Sequence, residues 1–184
     1  MKTVTREEII DYVTYEEQRD QIRADMMKLK DTLRIHLGDY LTFLFETKDT
    51  VRYQIQEMMR IERIVKESDI QHEIDTYNEL LGAPGEIGCS LLIEIDDPAV
   101  RDVKLKELMG LPEKLYLKLE DGGKVFATFN PSQVGEDRLS SVQYLAFRTE
   151  GKAPVAIGAE HPSLTLEEAL NADQKAALAA IPVE

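Results

Sequence analysis

The sequence predicts an α+β fold: a mixed or mainly antiparallel sheet packed against several helices, with a helix at the C-terminus. Three observations carry this. The N-terminal part is rich in helix-capping patterns followed by apolar residues at three- and four-residue spacing. Residues 33–37 and 40–45 alternate in polarity around Gly38-Asp39, the signal of a β-hairpin. Beyond Leu115, short apolar runs recur between turn residues, as in a set of consecutive strands.

Taken in order, Thr5 and Glu8 have the spacing of a capping box, with Val4 and Ile9 placed as its hydrophobic staple. Thr14 and Glu17 repeat the spacing. A short helix, a break near Thr14 and a longer helix to about Leu33 are therefore expected. On that longer helix Tyr15, Ile22, Met26, Leu29 and Leu33 share a face, and Arg19 falls on it. After the hairpin, residues 50–68 read as a central helix capped by Thr47 or Asp49. A short helix closed by Gly82-Ala83-Pro84-Gly85 follows, and then a buried strand at 88–95. Asp96-Asp97-Pro98 starts a helix that ends at Gly110. Strands are expected at 115–119, 125–129, 142–148 and 155–159, with Asp121-Gly122-Gly123 as the first turn among them. Residues 130–141 form the longest loop, either a strand connection or a lid or partner-binding surface. The alanine-rich segment 165–181 is expected to be a helix capped by Thr165 and Glu168.

At 184 residues the chain suits one α+β domain spanning 1–184, with 164–184 as a peripheral helix. Its 43% hydrophobic and 31% charged residues are those of a globular protein. A net charge of −13 opposes binding to nucleic-acid phosphates or an anionic membrane. Spread along the chain, the acids also serve solubility. One cysteine, Cys89, leaves no intrachain disulfide to form. No apolar stretch reaches membrane-span length, and the start of the chain turns acidic at once, unlike a signal peptide. A cytoplasmic location is the expectation.

Phosphate loops, dinucleotide fingerprints, Cys-x-x-Cys pairs and nucleophile elbows are missing from the sequence. Glu57-Met58-Met59-Arg60 places arginine where a di-iron bundle has histidine. At about 100° per residue, Val51, Ile55, Met58 and Val65 of the central helix form an apolar stripe that contains Glu62. A carboxylate there needs a partner or a proton. Arg19, placed in the same way on the earlier helix, offers a structural Arg19–Glu62 ion pair. The alternative is a carboxylate held for metal binding or proton transfer, with Glu62 and Glu57 as the catalytic candidates. Glu57 and Glu62 with His72, its neighbour Glu73, and His161 supply oxygen and nitrogen ligands suited to iron, manganese or zinc. A hydrogen-bonded histidine in a structural turn is the better explanation of His72. Arg52, Arg60 and Arg63 gather on another face, either as an anion-binding surface or as a solvated face paired with neighbouring acids. Cys89, among Leu91, Leu92 and Ile93, reads as a core thiol.

The run Phe45-Glu46, then 49–58, Arg60 and Glu62, resembles a bacterial family known by a domain of unknown function. Tyr15-Glu16 with Arg19 and Arg23, Gln71-His72-Glu73 through Thr76-Tyr77-Asn78, and Glu94 with Asp96-Asp97-Pro98 and Arg101 support it. With His161-Pro162 it extends to about Pro162, leaving the tail after Ser163 outside. Where the family often has Asp-His-Pro, this chain has Glu160-His161-Pro162. The resemblance implies no activity. It does imply genomic company with rubrerythrin-like proteins and iron–sulphur oxidoreductases, and hence redox or peroxide metabolism.

The expected function is therefore a non-catalytic accessory protein of a redox or peroxide-stress system. It would bind a protein partner, such as a rubrerythrin-like or iron–sulphur protein, with a metal ion as a further candidate ligand. The rivals are a metalloenzyme or metalloprotein using Glu57, Glu62, His72 and His161, and a small-anion sensor using Arg52, Arg60 and Arg63.

Overall fold

The computed structural model describes residues 2–184. In chain order the strands are β1 (Arg34–Leu37), β2 (Leu41–Phe45), β3 (Ile87–Ile93), β4 (Leu115–Leu119), β5 (Lys124–Phe126), β6 (Val142–Phe147), β7 (Pro154–His161) and β8 (Leu164–Ala169). The α-helices are α1 (Tyr12–Leu33), α2 (Lys48–Glu62), α3 (Glu67–Asn78), α4 (Pro98–Glu107) and α5 (Ala172–Ala179). The architecture is α+β. Two four-stranded sheets run β1-β2-β3-β6 and β5-β4-β7-β8, every pairing antiparallel.

Alternating side chains give each sheet one apolar face, and the two faces meet. Leu41, Phe43 and Leu91 from the first sheet are buried in one cluster with Leu115, Leu117 and Ile157 from the second. The sheets join at one edge, where Thr128 and Ala146 exchange two backbone hydrogen bonds of 2.8 Å. At the other edge β1 lies beside β8, so the sandwich approaches a closed barrel. Cys89 is buried in this core, and burial raises its thiol pKa.

A second apolar cluster holds the N-terminal helices together. Val4 and Ile9 pack with Val51, Ile55 and Met59 of α2 and with Ile70 and Ile74 of α3. The staple residues are thus in place, and the Thr5–Glu8 box forms, although it closes a 3-10 turn (Arg6–Glu8) rather than a helix. The long helix begins earlier than the Thr14–Glu17 spacing suggests. The Asp11 carboxylate accepts from the N–H groups of Val13 and Thr14 and caps α1, which leaves Thr14 inside it.

Two departures from the sequence reading matter. The central helix stops at Glu62 instead of running to Ser68, because Arg63 adopts a left-handed conformation (φ 55°). The Ile64 N–H then donates to the Met59 carbonyl at 2.9 Å, and Ile64 packs onto the second cluster, the arrangement of a Schellman ending. The C-terminal segment is the other departure. Residues 164–169 form β8 against β7, and the C-terminal helix is only α5, capped by a box between Asn171 and Gln174. The Leu164-Thr165-Leu166-Glu167 alternation pairs with an available edge, which outweighs the local Thr165–Glu168 spacing. Nor is the segment peripheral: Leu170, Leu178 and Ile181 are buried in the main core.

Candidate functional site

The residues with chemical interest meet where α1 crosses α2. The two helices run antiparallel, as three contacts in register show: Arg60 to Glu16, Glu57 to Arg19 and Tyr53 to Arg23. The stripe of α1 that faces α2 carries Tyr15, Arg19, Arg23, Met26 and Lys30, all within about 80° of one another at 100° per residue. Polar side chains at this helix junction are therefore a consequence of the α1 sequence.

Glu57 is the centre of the arrangement. Arg19 grips it through Nε (2.8 Å) and Nη2 (2.9 Å), and the Tyr15 hydroxyl donates to Oε1 at 2.6 Å. The side chains are largely covered, with 23% of Arg19 and 12% of Glu57 exposed. Arg19's hydrogen bonds, with help from Tyr15, hold the Glu57 carboxyl below its ordinary pKa. Burial, and then the hydrogen bond to Glu57, raise the Tyr15 pKa. Glu57 is thus a fixed acceptor and Tyr15 a fixed donor, which makes the trio a clamp between helices rather than an acid–base pair poised near neutrality.

Arg19 therefore pairs with Glu57, correcting the expected Arg19–Glu62 pair. The reason lies in the helix end. The buried side of α2 follows Val51, Ile55 and Met59, and α2 terminates at Glu62, so Glu62 and Val65 project into solvent beyond the interface.

The other candidates are dispersed. His72 is exposed on α3. His161 is buried at the end of β7, where Nε2 donates to the Met109 carbonyl (3.0 Å) and Nδ1 accepts from the Ser163 N–H (3.2 Å). Both of its nitrogens are engaged in this turn, on the sheet remote from α2. Among the described residues, no three His, Cys, Asp or Glu side chains gather as a metal site, so Glu57, Glu62, His72 and His161 are not brought together. Arg52 pairs with Asp49 at 2.8 Å and Arg60 with Glu16 at 2.6 Å, while Arg63 forms the exposed end of α2. Arg52 and Arg60 are thus each matched to a carboxylate.

The sequence reading passed over three features. Glu46, buried at the end of β2, accepts from the Thr50 hydroxyl (2.6 Å) and the Ser90 hydroxyl (2.7 Å), tying α2 to the first sheet. Gln56, also buried, bonds both the N–H (2.7 Å) and the carbonyl (3.2 Å) of Ile10. Tyr53 receives Arg23 and lies under Lys30. The spacing Arg19, Arg23, Lys30 was the available signal for the last of these. Beside the clamp, Tyr15, Ile22, Met26, Tyr53 and Gln56 line a cleft of about 200 Å³ rimmed by Glu8, Asp49 and Arg52. A broader groove between α4 and the 130–141 loop is lined in part by paired charges, Asp102 with Lys106 and Arg138.

A measurable consequence concerns acid stability. Because Glu57 has a depressed pKa when folded, its contribution is fully present above the unfolded value of about 4.3 and disappears as pH falls through the folded value. The melting temperature of Glu57→Gln should therefore lie well below wild type at neutral pH. The gap should close as pH drops below about 4. A gap that stays constant through that range would contradict the assignment.

Fold and site together define a class: an antiparallel α+β barrel-like core carrying a clamped helical layer. The family model for the protein of unknown function DUF3501 matches residues 3–181, and the chain belongs to that family. The match takes in the C-terminal segment that the sequence resemblance leaves out. A crystal structure of a novel protein of unknown function from Burkholderia pseudomallei is similar over 96% of this chain and 97% of that one, with 28% identity and a TM-score of 0.86. No curated protein matches. No helix among the described residues is long and apolar enough to cross a membrane.

Proposed function

We propose that this chain is a non-catalytic accessory protein that docks a protein partner of a redox or peroxide-stress system through the tip of the α1–α2 pair. One observation carries the docking surface: Val13, Ile61 and Val65 are 63%, 64% and 73% exposed at the same end of that pair. The 2.6 Å Arg60–Glu16 ion pair brings this end of α1 against the end of α2. Val13 lies one turn before Glu16 and Ile61 follows Arg60, so these exposed aliphatic residues belong to the same end of the helix pair.

The clamp beneath supports the reading, since Arg19 and Tyr15 already engage Glu57 in a contact between the helices. The net charge of −13 steers towards a basic partner surface. The redox assignment rests on the resemblance alone, through the rubrerythrin-like and iron–sulphur proteins encoded beside family members.

Affinity isolation from the native host tests the proposal with wild type and an Ile61→Glu, Val65→Glu double variant. Both positions are exposed, so the variant should fold. The expected outcome is a rubrerythrin-like or iron–sulphur protein retained by wild type and lost by the variant. Isolation of no redox protein, or equal retention by both chains, overturns it.

A further inference from the structure

We infer that α2, α3 and the 82–86 loop form a receptor groove for an extended peptide segment of a partner protein, a groove that residues 2–10 of this chain fill in cis.

Residues 2–10 lie outside both sheets and all five α-helices, and their one regular element is the 3-10 turn at Arg6–Glu8. Among the described residues, their backbone makes no hydrogen bond to the backbone of the rest of the chain. Side chains of the helical layer read it instead. Asn78, at the end of α3, accepts from the Val4 N–H at 2.8 Å and donates to the Val4 carbonyl at 2.9 Å. Gln56 of α2 treats Ile10 in the same way, at 2.7 Å and 3.2 Å. An amide that meets both polar groups of one residue stands in for a neighbouring strand. It holds an extended backbone whatever side chain that residue carries.

The side chains add selectivity. Val4 and Ile9 are 2% and 4% exposed and enter the second apolar cluster with Ile55, Ile70 and Ile74. The Lys2 ammonium converges on three backbone carbonyls, those of Gly82 (3.2 Å), Ala83 (3.0 Å) and Glu86 (2.6 Å). Arg6 forks onto Glu67, in the first turn of α3, with both contacts at 2.7 Å.

The chemistry of the ligand follows from the segment already seated. It has a lysine, an aliphatic residue two positions later, an arginine two beyond that, and a second aliphatic residue three further on. Backbone hydrogen bonds for affinity and side-chain pockets for specificity are the means by which proteins capture extended peptides. The net charge of −13 favours the two cations. The groove uses none of Val13, Ile61 or Val65 and is independent of the docking tip.

The test titrates a fluorescein-labelled peptide with the sequence of residues 2–10 against full-length chains, read by fluorescence anisotropy. The cis segment competes at about millimolar effective concentration, so wild type should bind the peptide weakly. Lys2→Met with Arg6→Met loosens the cis segment and leaves the groove intact. That chain should bind the peptide about tenfold more tightly than wild type, since its competitor has lost charged hydrogen bonds. In the same background Asn78→Leu should weaken binding about tenfold and Glu67→Gln a few-fold, and a peptide carrying Val4→Asp should not bind. Glu67 is exposed, so its variant reports on the groove even where Asn78→Leu disturbs α3. No peptide binding by the loosened chain, equal binding by wild type and the loosened chain, or binding unchanged in both Asn78→Leu and Glu67→Gln overturns the proposal.

Discussion

Gly88→Ala should fail to give a folded protein, or give one destabilised by more than about 4 kcal/mol, the range of severe backbone and packing clashes. A Cβ at Gly88 would lie 1.7 Å from the Leu80 carbonyl oxygen and 2.7 Å from its carbon, both backbone atoms that no side-chain rotation can move. The reason for the close approach is architectural. Leu80 belongs to the 3-10 turn Glu79–Leu81, which brings the end of the α3 layer down onto β3. The Gly88 carbonyl also accepts from the Glu46 N–H at 2.9 Å, at the point where β2 gives way to the loop into α2. An alanine here would push the helical layer off the sheet and disturb the residue that tethers α2. Gly110→Ala is the control. Nothing lies within 4 Å of its Cβ, and only the left-handed φ of 84° is penalised, for about 1–2 kcal/mol. Urea unfolding of both variants decides the matter. Equal, mild losses would mean that the Gly88 contact is not as close as described.

Phe45→Ala should cost about 3–5 kcal/mol, the usual price of a large aromatic removed from a core. Phe45 is fully buried, and its ring centroid lies 6.0 Å from that of Phe147 across β3. Both rings belong to the main core. Their coupling gives the experiment a second reading: Phe45→Ala combined with Phe147→Ala should cost less than the sum of the single variants, since each cavity already removes part of the other's contacts. A loss under about 1 kcal/mol, or strict additivity, would count against this packing.

Much of the fold was legible from residue pattern. The hairpin around Gly38, the helix opening at Asp97-Pro98 and the strand at 115–119 follow from local chemistry: a turn residue at positive φ, an acidic cap with proline behind it, and apolar alternation. The errors share one cause. Thr14, Ser68 and Thr165 each lie in segments where two local patterns compete. Asp11 supplied a better cap than Thr14, Ile64 found a buried place by ending α2 early, and residues 164–169 found the free edge of β7. None of these outcomes is decided by neighbours along the chain.

The site divides in the same way. By itself, the sequence determined that α1 presents Tyr15, Arg19, Arg23 and Lys30 on one stripe, because helical geometry fixes which residues share a face. It also determined the acidity, the want of catalytic motifs and the anomaly of Arg19 among apolar neighbours. Only the tertiary structure decided which carboxylate answers Arg19, since Glu57 and Glu62 are five residues apart on α2 and the choice turns on where that helix stops and how it crosses α1. It decided likewise that Arg23 and Lys30 share a tyrosine instead of an acid. Pairing between helices depends on register and end geometry, quantities set by the packing of Ile64 and Met59 in the second apolar cluster and not by the spacing of the charges themselves.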